Sequence, residues 1–119
     1  MRKFLSGNEA FAEGIRLARP QVISAYPITP QTIVVEKLSE FVEDGSLKSE
    51  FIHVESEHSA LSCAMGASIA GARAFTATSS QGLLYMAEGL TYASGGGYPI
   101  VMMNANRSVA LPWNIYGDQ

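Results

Sequence analysis

An α/β fold, with a parallel sheet and helices on both of its faces, is predicted by three observations. Short apolar runs alternate with segments of helical spacing, in the order that successive β-α-β crossovers require. The first of these runs, Val22-Ile23-Ser24-Ala25-Tyr26-Pro27-Ile28, is largely continuous rather than alternating, as a strand buried on both faces is. The first three runs lead into proline or hydroxyl residues suited to a turn that launches a helix.

Ser6-Gly7-Asn8-Glu9 has the Ser-x-x-Glu form of a capping box, so a first helix is expected from about Asn8. It should turn Ala10, Phe11, Gly14, Ile15 and Ala18 toward a core, and Pro20 should end it. The run from Val22 to Ile28 predicts the first strand. At its end, Tyr26-Pro27-Ile28-Thr29-Pro30 makes a stiff corner, with Thr29 as N-cap and Pro30 as the first residue of a helix bearing Val34, Leu38, Phe41 and Val42. Asp44-Gly45 should stop that helix. The unit then recurs: a strand at Phe51-Ile52-His53-Val54, a cap at Ser56, and a helix of small residues through Ala60 to Ala67 with Gly71 as a left-handed terminator. A third strand at Ala74 to Thr78 is followed by a turn through Ser79-Ser80-Gln81, a helix from about Leu83 to Tyr92, a break at Ser94-Gly95-Gly96-Gly97, and a fourth strand from Tyr98 to Met103. Sheets of this kind usually hold about five or six strands, so four point to a domain that is incomplete on its C-terminal side.

The 119 residues suit one domain, since domains most often hold about 100 to 150. Eight basic residues against eleven acidic ones give a net charge of −3, which argues against a nucleic-acid partner. Only 16% of residues are charged against about 25% in an average protein, which suggests surface meant to be covered. Cys63 is the only cysteine, so the chain cannot hold a disulfide framework, an all-cysteine zinc site or an iron–sulfur cluster by itself. No stretch approaches the roughly 20 apolar residues of a membrane span, and the expected location is cytoplasmic.

In a parallel α/β sheet, ligands bind outside the carboxyl ends of the strands. Four stretches therefore compete: Pro27 to Pro30, Glu55 to His58, Thr78 to Gly82, and Asn104 to Arg107. Nucleotide signatures fail, because Gly66 to Gly71 has the glycine spacing of a P-loop but continues Ala72-Arg73. A nucleophile elbow is also missing. His53 and His58 straddle a strand-to-helix junction instead of sharing a helical face, so no metal site is expected. They read as an ordinary strand histidine and a polar residue at a helix start, and Cys63 as a small buried helix residue. Glu55 or Glu57 can project over the sheet's carboxyl edge, or both can simply complement a helix dipole. Arg107 follows the fourth strand as the glutamates follow the second, which places opposite charges on one rim.

These stretches resemble a known family, the 2-oxoacid:ferredoxin oxidoreductases, of which pyruvate:ferredoxin oxidoreductase is the best-known member. The resemblance is carried by Tyr26-Pro27-Ile28-Thr29-Pro30, Glu55-Ser56-Glu57-His58-Ser59-Ala60, Phe75 to Leu83, Asn106-Arg107 and Asn114 to Asp118, in family order and over nearly the whole chain. It implies that residues 1–119 form the N-terminal part of a single thiamine-diphosphate pyrimidine-binding domain at the start of an alpha subunit. Glu57 matches the glutamate that hydrogen-bonds N1′ of the aminopyrimidine and so lets the ring's own 4′ nitrogen take the C2 proton of the thiazolium. By the same resemblance, Pro27 packs against the pyrimidine, while Thr29 and Arg107 receive the substrate carboxylate, for which a planar guanidinium fork is suited. Ala110-Leu111-Pro112-Trp113 lies where substrate choice is expected to be influenced.

The resemblance further implies oxidative decarboxylation of a 2-oxoacid, with pyruvate the expected substrate, to an acyl-CoA, electrons passing to ferredoxin. The acidic Gly-Asp-Gly segment that holds Mg²⁺ and the diphosphate in this superfamily is missing, and Gly117-Asp118-Gln119 does not supply it. Thiamine diphosphate is therefore expected to be shared with a partner subunit, with Mg²⁺ and iron–sulfur clusters carried only by partners and the isolated chain inactive. Two other readings stay open: a non-catalytic interaction or regulatory module that keeps the fold, and a segment of a transketolase-like thiamine enzyme.

Overall fold

The computed structural model describes residues 1–116. The elements are α1 (Gly7–Ala18), β1 (Val22–Ala25), α2 (Thr32–Glu43), β2 (Glu50–His53), α3 (Glu57–Ile69), β3 (Ala74–Thr78), α4 (Gln81–Tyr85), α5 (Ala87–Gly96) and β4 (Ile100–Asn104). The strands are parallel throughout, in the order β2-β1-β3-β4. Ile23 pairs with Phe51 on one side and Phe75 on the other, and Thr78 lies opposite Asn104. β3 is buried along its whole length, whereas the edge strand β2 is largely exposed.

Successive side chains of a strand point to opposite faces, and this divides the core in two. On one face Ala12 and Ile15 of α1 and Val34, Leu38 and Phe41 of α2 pack with Ile23, Phe75, Ala77 and Met103. On the other, Ala60 and Leu61 of α3 and Met86 pack with Met65, Leu90, Ile100 and Met102. Neighbouring Met102 and Met103 thus serve different cores. Burying a side chain such as Leu38 or Phe75 stabilises the fold by roughly 1.5–3 kcal/mol. Ser24, between Ile23 and Ala25, donates its hydroxyl hydrogen to the Ala60 carbonyl at 2.6 Å and ties the start of α3 to β1.

The strand order sends the chain from β1 outward to β2 on one side and from β3 outward to β4 on the other. Between the carboxyl ends of β1 and β3 the two connections diverge, and a crevice opens there.

The caps at Ser6 and Ser56 form as expected: their hydroxyl oxygens accept from the Glu9 and Ser59 backbone N–H groups at 3.3 and 3.1 Å. Asp44 closes α2, and Gly71 adopts the left-handed φ of 93° that its place after α3 requires. Elsewhere the structure corrects the sequence reading. The inward side of α1 is Ala12 and Ile15, because the helix packs chiefly on α2; Ala10, Gly14 and Ala18 are exposed, and Phe11 leans on Phe75 while staying 38% exposed. β1 ends at Ala25, since Pro27 has no N–H to give a sheet ladder. Thr29 is not an N-cap and Pro30 does not begin a helix. The Gln31 N–H donates to the Ile28 carbonyl and closes a turn first, and α2 starts at Thr32.

The single helix expected from Leu83 to Tyr92 is two, divided at Met86, which is fully buried against Ala60 and Leu61 of α3. Its N–H donates to the carbonyls of both Gly82 and Leu83, while its own carbonyl accepts from Leu90. Ser94, Gly95 and Gly96 continue α5 rather than break it; Gly97 ends it. β4 then begins one residue after Pro99.

Candidate active site

Glu57 is the first residue of α3, held there by the Ser56 cap and by the tie from Ser24 to Ala60. Its carboxylate is partly buried and makes no hydrogen bond or ion pair among the described residues. Its side chain lies against Gly82, the second residue of α4. A β-carbon on Gly82 would come 2.9 Å from Glu57 Cγ and 3.1 Å from Oε1, and would overlap Thr78 Oγ1. The end of β3 and the start of α3 therefore meet only because residue 82 has no side chain.

Arg107, in the loop after β4, reaches across the crevice. Its Nη1 donates to the Thr29 carbonyl at 3.0 Å and its Nη2 to Gln81 Oε1 at 3.0 Å. Both acceptors are uncharged, and no carboxylate of the described residues pairs with the guanidinium. Thr29 takes part through its backbone carbonyl, and the residue is exposed. Pro27 lies exposed on the same connection. The structure thus brings Thr29 and Arg107 into direct contact, and links them through Gln81 and Gly82 to Glu57.

The corner between β3 and α4 is strained and polar. Ser80 has φ 50° and ψ −126°, which for a residue with a β-carbon costs on the order of 1–3 kcal/mol. Its hydroxyl, 2.7 Å from the Ser108 carbonyl and 2.5 Å from Gln81 Oε1, has one hydrogen to offer either. The neighbouring hydroxyls of Thr78 and Ser79 are fully buried and have no partner among the described residues. A recess of about 390 Å³ opens beside this corner, lined by Gln81, Arg107, Trp113, Asn114 and Ile115. A larger one, about 470 Å³, lies at the opposite edge among Gln21, Lys48 and Glu50, away from every strand exit.

Other candidates behave as ordinary surface groups. Glu55 is exposed and accepts from the Ser59 hydroxyl at 2.5 Å, which, with its own backbone N–H, holds its carboxyl below the usual glutamate range. His53 stacks on Phe51 at the open edge of β2, and His58 sits over Tyr85 with ring centres 5.9 Å apart. Cys63 is partly buried in α3. Ser80, Gln81 and Gly82 fall in the stretch Thr78 to Gly82 that the sequence marks as a candidate, but no individual role was assigned to them there. Gly117-Asp118-Gln119 lies outside the described residues.

A four-stranded parallel sheet of order β2-β1-β3-β4, with helices on both faces and its switch point between β1 and β3, defines an α/β fold of the doubly wound kind. Residues 13–119 match the family described as "Pyruvate flavodoxin/ferredoxin oxidoreductase, thiamine diP-bdg", and the chain belongs to that family. It is 57% identical over 117 residues to pyruvate synthase subunit PorA of Methanothermobacter thermautotrophicus, covering 98% of this chain and 30% of the relative. It is 52% identical over 119 residues to ketoisovalerate oxidoreductase subunit VorA of Pyrococcus horikoshii, covering 100% of this chain and again 30% of the relative. The chain therefore spans about 30% of the length of these curated relatives. Its fold is similar to that of 2-oxoglutarate:ferredoxin oxidoreductase from Magnetococcus marinus, solved with 2-oxoglutarate, coenzyme A and succinyl-CoA bound. The TM-score is 0.81 at 32% identity, over 87% of this chain and 18% of that one. No helix of the described residues is long and apolar enough to cross a membrane.

Proposed function

We propose that this chain supplies one wall of a thiamine-diphosphate site in the alpha subunit of a 2-oxoacid:ferredoxin oxidoreductase, with Glu57 as its catalytic carboxylate. When bound, that cofactor supplies the thiazolium carbon that joins the 2-oxo group. The observation that carries the reading is the partly buried, unpaired Glu57 carboxylate resting on Gly82 at the crevice. The residues there fit a flat, polar heterocycle. Gly82 lets the Glu57 side chain pack directly on the start of α4, and the buried Thr78 and Ser79 hydroxyls have hydrogen-bonding capacity that the described residues do not use.

In this reading Glu57 holds a proton at the N1′ edge of the aminopyrimidine, and its place in the first turn of α3 keeps the side chain against Gly82 at the start of α4. Pro27, rigid and apolar, packs against the ring face from the β1–α2 connection. Arg107, seated on the Thr29 carbonyl, pairs with the carboxylate of the 2-oxoacid, and the Thr29 hydroxyl faces the same end of the substrate. Trp113 and Ile115 give the recess beside Arg107 apolar walls, which suits the short acyl tail of such an acid. The names of the relatives favour pyruvate or a branched 2-oxoacid.

With one cysteine the chain cannot itself ligate an iron–sulfur cluster. The clusters, the Mg²⁺ and diphosphate ligands, and the sites for coenzyme A and ferredoxin therefore belong to partner subunits or to other parts of the alpha subunit. The chain alone is inactive in this scheme. The decisive experiment is Glu57→Gln in the complete complex, followed by deuterium exchange at C2 of the bound cofactor. Exchange should slow by about 10²- to 10⁴-fold while assembly is kept. An unchanged rate rejects Glu57 as the catalytic group.

A further inference from the structure

We infer that Gln81 is a positioning residue that sets affinity for the 2-oxoacid by clamping Arg107 without cancelling its charge. The inference rests on the reading of Arg107 as the carboxylate receptor.

The clamp is fixed at both ends of the amide. Gln81 Nε2 donates to the Val109 carbonyl at 2.9 Å, which can only accept, so Oε1 must face the guanidinium, and it accepts from Nη2 at 3.0 Å. The residue before it adds a second brace. The Ser80 hydroxyl lies between the Ser108 carbonyl and Gln81 Oε1, so the β3–α4 corner is stitched to the two residues that directly follow Arg107. With Nη1 on the Thr29 carbonyl, the guanidinium is held at two of its nitrogens.

Holding an arginine usually falls to a carboxylate, whose charge strengthens the bond. Here it would defeat the purpose: an ion pair inside a partly buried site removes the net positive charge that an incoming anion must meet. A glutamine offers the same acceptor oxygen at the same reach with no charge. The described residues put no acidic group on the guanidinium in its stead.

The test uses the complete oxidoreductase with thiamine diphosphate, with pyruvate and 3-methyl-2-oxobutanoate as substrates, and two variants of opposite character. Both remove the donor to Val109; Gln81→Glu keeps the acceptor that meets Arg107 and adds the charge, while Gln81→Met keeps the bulk and removes the acceptor. Gln81→Glu should raise KM for both acids about tenfold or more, with kcat and the dissociation constant of thiamine diphosphate within about threefold of the parent. Gln81→Met should raise KM about fivefold with the same pattern. A merely structural glutamine, whose tie is the Nε2 donor to the Val109 carbonyl, predicts that glutamate and methionine, which both lose that donor, damage kcat and cofactor binding alike with no selective rise in KM. That pattern, an unchanged KM in Gln81→Glu, or failure of both variants to assemble overturns the inference. Arg107→Ala serves as the separate control. If it leaves KM unchanged, the underlying reading of Arg107 has failed; if it raises KM while Gln81→Glu does not, only the role of Gln81 has failed.

Discussion

Glu57 occupies space that a β-carbon on Gly82 would claim, so the glutamate's conformation is written into the residue it rests on rather than into any hydrogen bond. The two belong to different helices and come together only when α3 and the end of β3 are both in place.

This contact makes Gly82→Ala an informative change. The added methyl has Thr78 Oγ1, Glu57 Cγ and Glu57 Oε1 in its way; Thr78 is fully buried, whereas the longer glutamate side chain is only partly buried. Glu57 should swing aside, and overpacking should lower stability by about 1–3 kcal/mol. In the complete complex, turnover should fall by at least about tenfold with little change in KM, since the substrate carboxylate is held elsewhere. Parent-like turnover in a folded Gly82→Ala complex counts against the Glu57 assignment.

Arg107 separates charge from geometry. Arg107→Lys keeps a cation but loses the planar fork, and Arg107→Ala loses both. Hydrogen bonds to charged groups are worth about 1.5–3 kcal/mol each, so KM for the 2-oxoacid should rise about tenfold in the lysine variant and about a hundredfold in the alanine variant. Steady-state kinetics on the assembled enzyme decide it, and equal values for all three proteins remove Arg107 from the substrate pocket.

Glu55 gives a pH signature distinct from that of the crevice. Its carboxyl is depressed in the folded state, first by the Ser59 hydroxyl and then by its own backbone N–H. The sign follows: this contribution is present above the unfolded glutamate pKa of about 4.3 and is lost as pH falls through the lower folded value. Because the group is exposed, solvent screening keeps the effect on stability small. Ser59→Ala should move the Glu55 titration upward in an NMR pH series, and an unmoved midpoint refutes the attribution.

The parallel sheet was legible in the sequence because its determinants are local: apolar runs, helical spacing, and caps at Ser6 and Ser56 each act within a few residues. What was not legible depends on partners far along the chain. The clamp from Gln81 reaches Val109, 28 residues on, and Arg107 finds Thr29 across 78. The division of the helix at Met86 belongs here too, since the α3 core it fills is invisible to the helix's own periodicity. Thr29-Pro30 misled because the pair has good capping chemistry, yet Gln31 has better long-range partners: its amide accepts from the Ile28 N–H and donates to the Ala77 carbonyl, fixing the turn against β3.

Arg107 is seated on a peptide oxygen, a group that every amino acid owns. The identity of the residue at position 29 is therefore free of any duty to the arginine, and under the proposed function the side chain there can drift from one acid preference to another while the cation keeps its post. A lineage changing its diet would have in this threonine a dial it can turn without dismantling the instrument.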